Sequence, residues 1–299
     1  MKPYICHACP RNCGMLRGEY GYGFCRMGAD PVIARAALHF DEEPVISGKN
    51  GSGAVFFSGC ALRCRFCQNY AISHEGFGQT ICTDRLHEIY FELIDQGAHN
   101  INLVNPTHFT EAILESLKGG LPVPVVWNSG GYERLETLQR LEGKVQVYLP
   151  DLKYIDFESA SKYSSARDYF NYAAPAIKEM LRQTGPVILD AGGLIQRGTI
   201  VRHLILPGRI SESMAILDWI ADNLSGAWVS LMAQYLPFGD VAGVDALDRR
   251  LYPEEYEAVV DHLMELGLED GFVQELSSSD EKYIPNFDLT GVKKMNKKQ

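Results

Sequence analysis

Seven of the eight cysteines fall within the first 67 residues, as Cys6, Cys9, Cys13 and Cys25 and then Cys60, Cys64 and Cys67, with Cys82 following alone. Cysteines clustered at such short spacings hold a metal or act in catalysis more often than they form stable bridges in a reducing compartment. The first group, C-x2-C-x3-C-x11-C, sits in residues 1–30 among Pro10, Gly14, Gly18, Gly21 and Gly23 with almost no apolar run. Such a segment cannot fold on a hydrophobic core and needs a metal or docking against the rest of the chain. Four thiolates suffice for a closed tetrahedral zinc or for an auxiliary iron–sulfur cluster, structural or relaying electrons, and partial use with one thiol free is the other option. Cys82 has no partner at metal spacing and is expected to be a buried thiol.

From about Val32 the texture is that of a globular protein, in keeping with 299 residues at 46% hydrophobic and 22% charged. Acidic groups outnumber basic ones by 38 to 28, a formal charge of -10 with no basic stripe in the body of the chain, which disfavours general nucleic-acid binding. No apolar run reaches the roughly 20 residues of a membrane span, and Met1 to Cys6 lacks the pattern of a signal peptide, so a cytoplasmic protein without a membrane partner is expected. Strands are expected at 54–58, 100–104, 123–127, 145–149, 199–206 and 228–232. Helices are expected between them, the first carrying Leu86, Ile89, Tyr90, Leu93 and Ile94 on one stripe and ending at Gly97, the others at 110–118, 132–142, 171–184 and 211–224. Near-continuous apolar strands separated by helices imply parallel pairing with both faces covered, hence a (β/α) barrel or partial barrel; six units are two short of a complete one. Beyond Pro237 and Gly239 one more helix is marked by Pro253, Glu254 and Glu255, with Tyr256, Val259, Val260, Leu263 and Met264 as its stripe. The tail from Val292 to Gln299, with Lys293, Lys294, Lys297 and Lys298, reads as a frayed terminus. The organisation is a cysteine-rich metal-binding segment at 1–30, the barrel at 31–240 and a helical extension and tail at 241–299.

The second cysteine group leaves the first of these strands as Ser58-Gly59-Cys60-Ala61-Leu62-Arg63-Cys64-Arg65-Phe66-Cys67, at the end of the strand where a parallel barrel carries its active face. Three thiolates spaced C-x3-C-x2-C can hold three corners of a cubane iron–sulfur cluster and leave the fourth iron open. A zinc or redox site of three cysteines is the plainer alternative. The loop resembles the signature of the radical SAM superfamily, whose open iron is chelated by S-adenosylmethionine (SAM). That resemblance implies a [4Fe-4S] cluster on Cys60, Cys64 and Cys67 and places Phe66 against the adenine. Glu42-Glu43-Pro44-Val45-Ile46-Ser47-Gly48, Gly97 to Val104, Tyr148 to Tyr154 and Val201 to Gly208 extend the resemblance to the pyruvate formate-lyase activating enzyme-like family, which implies an α/β fold, a (β/α)6 partial TIM barrel.

The ends of the remaining strands supply the other candidates. Activating enzymes carry Gly-Gly-Glu after the second strand, whereas this chain has Asn105-Pro106-Thr107-His108. Asn105 and Thr107 offer acceptors to the cofactor, and His108 is the candidate catalytic acid or base, or else a histidine satisfied at a helix entry. Asn128 and Ser129 begin a glycine turn that lets the backbone approach a ligand, or a simple strand-to-helix turn. Asp151 and Lys153, two residues apart, project on one face and suit the amino-acid moiety and ribose of SAM, with a surface ion pair as the alternative. Arg202 and His203 point to opposite faces, and the resemblance favours His203 as the member that contacts SAM. Gln234 lies where a polar group reaches adenine or substrate, and Tyr235 is there too or in the core.

The expected function is reductive cleavage of SAM to a 5'-deoxyadenosyl radical that abstracts hydrogen, from the glycine of a glycyl-radical enzyme or from another peptide, nucleic acid or metabolite. A low-potential donor such as flavodoxin or ferredoxin is the expected electron source. An iron–sulfur electron carrier or scaffold is the rival from outside enzymology, and a zinc hydrolase is weaker because no His-Glu-x-x-His stretch is present.

Overall fold

A strand buried on both faces has no polar side, and every residue of Ser52–Phe57, Ile101–Val104, Val125–Ser129 and Val147–Pro150 is buried. Strands of this kind pair in parallel under a cover of helices. The computed structural model describes residues 1–280 and 284–294. It opens with a two-stranded antiparallel hairpin, β1 (Tyr4–Ile5) and β2 (Leu16–Arg17), followed by β3 (Val32–His39), α1 (Pro44–Ser47), β4 (Ser52–Phe57), α2 (Tyr70–Ser73) and β5 (Gln79–Thr80). Alternation then sets in with α3 (Thr83–Asp95), β6 (Ile101–Val104), α4 (Thr110–Ser116), β7 (Val125–Ser129), α5 (Leu135–Leu141) and β8 (Val147–Pro150). The chain continues through α6 (Phe157–Ser164), α7 (Tyr169–Thr184), β9 (Ile188–Leu189), β10 (Ile195–Leu204), α8 (Ile210–Asn223), β11 (Trp228–Met232), α9 (Pro253–Glu265) and β12 (Gly271–Val273).

One sheet runs β12-β11-β10-β8-β7-β6-β4-β3-β5, parallel from β12 to β4 and antiparallel at β3 and β5. It is the α/β partial barrel expected, with all six expected strands present. Two of the elements that the sequence did not announce change the sheet most. β3 adds an antiparallel edge before the first barrel strand, and β12, only three residues long, extends the sheet beyond the expected six into the C-terminal extension. That extension is therefore part of the barrel wall.

Strand parity divides the interior in two. Val55, Phe57, Leu103, Trp127, Tyr148 and Val201 point outward into the main core beneath the helices. Val126, Val147, Leu149 and Ile200 point inward, where Val45 and Ile46 of α1 close the bottom of the lumen. Pro44 at the start of α1 fixes this plug and sets Glu42 and Glu43 at its entrance.

The tail is anchored where it is described. Leu289 N–H donates to Ala34 O at 3.0 Å, Ala36 N–H donates to Thr290 O at 2.8 Å, and Arg85 donates to Val292 O at 3.1 Å. Val292 is buried, so the expected fraying does not hold for the start of the tail; Lys297 and Lys298 lie outside the described residues. Cys82, expected to be buried, is exposed at the N-terminus of α3, because it precedes the apolar stripe of that helix. Among the described residues no helix is long and apolar enough to cross a membrane.

Candidate functional site

The cysteine loop turns immediately after β4. Gly59 has φ 81°, a backbone that favours glycine, and a β-carbon there would run into Met27 and the carbonyl of Cys25. The amino-terminal unit is thus pressed directly onto the loop. Arg11 ties the two together, donating from Nε to Ala61 O at 2.8 Å and from its terminal nitrogens to the carbonyls of Ser164 and Ser165. Within the loop, Leu62 N–H donates to Cys60 Sγ at 3.3 Å, Cys67 N–H donates to Cys64 O at 3.1 Å, and Ser164 Oγ donates to Cys64 Sγ at 2.9 Å.

Cys60, Cys64 and Cys67 line one cavity of about 130 Å³, together with Asn105, Asn128, Ser129, Asp151, Lys153 and Arg202. A second cavity, of about 230 Å³, shares Cys64, Cys67, Asp151, Lys153 and Arg202 with the first and adds Phe66, Gln68, Glu42 and Gln234. Burial pushes the Cys60 thiol up and that of Cys67 up to about 12, so their thiolate forms require a positively charged group in the cavity. Among the described residues no three His, Cys, Asp or Glu side chains are placed to hold a single metal ion. Three thiols spread around a shared cavity suit the larger bite of an iron–sulfur cluster, whose ligands are thiolates.

Facing the thiols is a chain of charges. Lys153 Nζ meets Asp151 at 2.5 Å, Arg202 Nε meets the other oxygen of Asp151 at 2.9 Å, and Arg202 reaches Glu42 at 3.4 Å and the amide oxygen of Asn128 at 2.6 Å. Glu42 in turn accepts from Asn102 at 3.0 Å and from Asn128 at 3.1 Å. Burial pushes Asp151 up, but Arg202 and Lys153 outweigh it and hold the carboxyl below its usual range. For Lys153 burial works downward and Asp151 upward, with a net rise that keeps the ammonium charged. Glu42 goes the other way, since its burial outweighs the attraction of Arg202.

The candidates from sequence separate on this geometry. Asn105, Asn128, Ser129, Asp151 and Lys153 surround the thiol cavity, and Phe66 and Gln234 line its neighbour, the Phe66 ring 5.9 Å from that of Tyr235. Asn105, at φ 59°, donates to Gly59 O at 2.5 Å and so braces the loop. His203 is a correction. It shares the outward parity of Val201, its Nδ1 against Leu152 O at 2.8 Å and its Nε2 against Ser213 Oγ at 2.9 Å, and burial lowers it to about 4. Arg202 is the residue that enters the lumen. His108 is also turned away from the cavities, its Nε2 against Ser58 O at 2.6 Å, and burial lowers it to about 3, so the ring is neutral and its N–H is spent on that carbonyl. Thr107 likewise faces outward and donates to Glu133 at 2.6 Å. Glu42 was not singled out as a ligand-facing group, because an acidic pair before a proline carries no spacing signal of its own.

The amino-terminal cysteines come together only in part: Cys6, Cys9 and Cys25 are buried and Cys13 is exposed. Burial pushes Cys6 up and Cys9 up to about 12, while the guanidinium of Arg17 donates to Cys25 Sγ at 2.7 Å and to His108 O. Tyr235, buried, donates to Leu247 O at 2.7 Å and belongs to the core.

No family model matches the chain. The structure of SuiB from Streptococcus suis bound to S-adenosylmethionine is similar over 72% of this chain and 48% of that one, with TM-score 0.51 and 12% identity. SuiB bound to its precursor peptide SuiA gives 0.50, with 11% identity over 72% of this chain and 46% of that one. The chain thus spans about half the length of SuiB, and the likeness shows a shared fold, the α/β partial barrel. In sequence, the chain is 32% identical over 266 residues to the uncharacterized protein MJ0674 of Methanocaldococcus jannaschii, covering 86% of this chain and 73% of that protein. The chain accordingly belongs to the protein family of MJ0674.

Proposed function

We propose that the chain is a radical SAM enzyme, with a [4Fe-4S] cluster held by Cys60, Cys64 and Cys67 and SAM bound across the two joined cavities. The observation that carries this reading is the convergence of all three loop thiols on a cavity that also holds the Asp151–Lys153–Arg202 charges. When bound, such a cluster supplies one electron to SAM and so a 5'-deoxyadenosyl radical for hydrogen abstraction. The chain's own residues bind and orient. Lys153 and Arg202 offer cationic donors to the carboxylate of SAM, and Asp151 offers an acceptor to its amine or ribose. Phe66 presents an apolar ring to the adenine, while Val104, Leu204 and Met232 keep the space between dry. The electron comes from a low-potential donor of the flavodoxin or ferredoxin type.

The target of the radical is a finer question. Activation of a glycyl-radical enzyme follows from the resemblance to the activating enzyme-like family, and modification of another peptide, nucleic acid or metabolite is the alternative. A second iron–sulfur cluster on Cys6, Cys9, Cys13 and Cys25 completes the proposal, since these thiols are not placed to hold a single ion such as zinc. The test is anaerobic reconstitution, reduction and addition of SAM. Formation of 5'-deoxyadenosine that disappears when Cys60, Cys64 and Cys67 are replaced by Ala supports the reading, and iron analysis of the same variant reports the second site. A reduced, intact cluster whose paramagnetic spectrum ignores SAM favours an electron carrier instead.

A further inference from the structure

The lumen continues past the charge chain into a third cavity, of about 430 Å³, between α1 and the β11–β12 edge. It shares Glu42, Arg202, Met232 and Gln234 with the cavity that reaches Cys64 and Cys67, so a molecule held here sits next to the thiol-lined chamber. Its polar wall is made of Asp41, Glu42, Glu43, Ser230, Gln234 and Gln274. The wall is rich in acceptors and poor in free cations. Arg202 is the cationic side chain among the described lining residues, and its charge is already shared with Asp151 and Glu42, each of its three nitrogens making one contact, to Asp151, Asn128 or Glu42.

Two acceptors have no partner. Glu43 is 9% exposed and its Oε2 is buried without a hydrogen bond, as is Oε1 of Gln274 on the facing strand edge. A carboxylate taken out of water costs several kcal/mol unless it is paired; Ser230 and the backbone N–H of Glu43 offset part of that cost, and Oε2 is left for a proton or a cation. Burial accordingly pushes Glu43 up, with Arg202 opposing. A lone proton would satisfy Glu43 and leave Gln274 as it is. A protonated amine carries three N–H donors, enough for both acceptors and for Asp41 at the mouth. Met232, Phe272 and Val273 provide an apolar wall for an aliphatic stem.

We propose that this cavity binds the ammonium group of the substrate, on an aliphatic stem that points the carbon to be attacked toward the thiol-lined chamber. The inference rests on the radical SAM reading for its purpose and on the cavity alone for its ligand chemistry. It is tested by calorimetric titration of the reconstituted, SAM-loaded protein with pentylamine, Nα-acetyl-lysinamide and 1-pentanol. The amines are expected to bind about tenfold more tightly than the alcohol, as a charge-assisted contact to a buried carboxylate requires. The tighter of the two amines tells whether the ammonium comes from a free amine or from a lysine side chain. Glu43→Gln is expected to abolish the preference, and Gln274→Leu, which leaves the buried carboxylate in place, to reduce it severalfold. Equal affinity of amine and alcohol, or a preference that survives both substitutions, overturns the proposal. Parallel measurement of 5'-deoxyadenosine on the unsubstituted protein keeps the two ideas apart. Amine binding without SAM cleavage retains the site and removes the radical reading; cleavage without amine preference does the reverse.

Discussion

Glu133 offers a quantitative check on the electrostatics beneath the sheet. Its carboxyl is 1% exposed, accepts at Oε1 from Thr107 at 2.6 Å and from Trp127 Nε1 at 3.3 Å, and has no partner at Oε2. Burial raises it from 4.5 to about 7. Because the folded state holds the proton more tightly than the unfolded one, the associated stability is present below 4.5 and is lost as pH rises through about 7. A gap of this size corresponds to roughly 3 kcal/mol at high pH, of which less than about 1 kcal/mol has been lost by pH 5. Glu133→Gln removes the titration. Its amide oxygen keeps the two contacts, and its nitrogen takes the place of the unpartnered oxygen at a constant cost of about 1–3 kcal/mol. The quantity to read is therefore the pH dependence of the difference between the two proteins. Urea unfolding of both between about pH 5 and pH 8.5 is expected to shift that difference by roughly 2–3 kcal/mol in favour of the glutamine. The titrations of His108 and His203 occur in both proteins and cancel. A difference that stays flat across this range would refute the argument and place Glu133 at an ordinary carboxylate value.

Arg202→Met leaves Asp151 and Glu42 buried without their shared guanidinium, and unfolding free energy is expected to fall by about 3–5 kcal/mol near neutral pH. That deficit should shrink toward acid, where the stranded carboxyls take up protons; a deficit that grows on acidification contradicts the charge chain. Ending the chain after Asp280 removes Val292 from its buried site, frees Ala34 O and Ala36 N–H, and takes from Arg85 the carbonyls of Gly291, Val292 and Lys293. Burial and hydrogen-bond terms together put the loss at about 3–5 kcal/mol, and an unchanged thermal midpoint would show that the strap along β3 contributes nothing.

The barrel was legible because its strands are buried on both faces. Continuous apolar runs such as Leu103-Val104 and Val125-Val126-Trp127 leave no polar side to misread, and the stripe of Leu86, Ile89, Tyr90 and Leu93 fixes the covering helix. The cysteine loop was legible for a different reason, since its spacing is local and survives any error in strand ends. Parity was not. Arg202 and His203 differ by one residue, and which of them faces the lumen depends on whether Val201 or Ile200 belongs to the outer core; the sequence around them is apolar on both sides. His108 was misread because a polar residue after a strand looks the same whether it faces a ligand or the carbonyl of Ser58. β12 escaped notice because Gly271-Phe272-Val273 is too short to carry an alternation, and Glu42 and Glu43 because their role is set by a plug helix of four residues.

The docking of the amino-terminal unit has a consequence for biosynthesis. Residues 1–30 leave the ribosome ahead of the groups that hold them: Ala61 for Arg11, His108 for Arg17, Thr137 for the carbonyl of Ala8, and Ser164 again for Arg11. At ordinary rates of synthesis, the interval before Ser164 emerges is roughly ten to thirty seconds. Throughout that time Cys6, Cys9, Cys13 and Cys25 have no barrel to dock against. The order of translation thus leaves these thiols open to a metal donor, or to an oxidant, before the rest of the protein can shelter them.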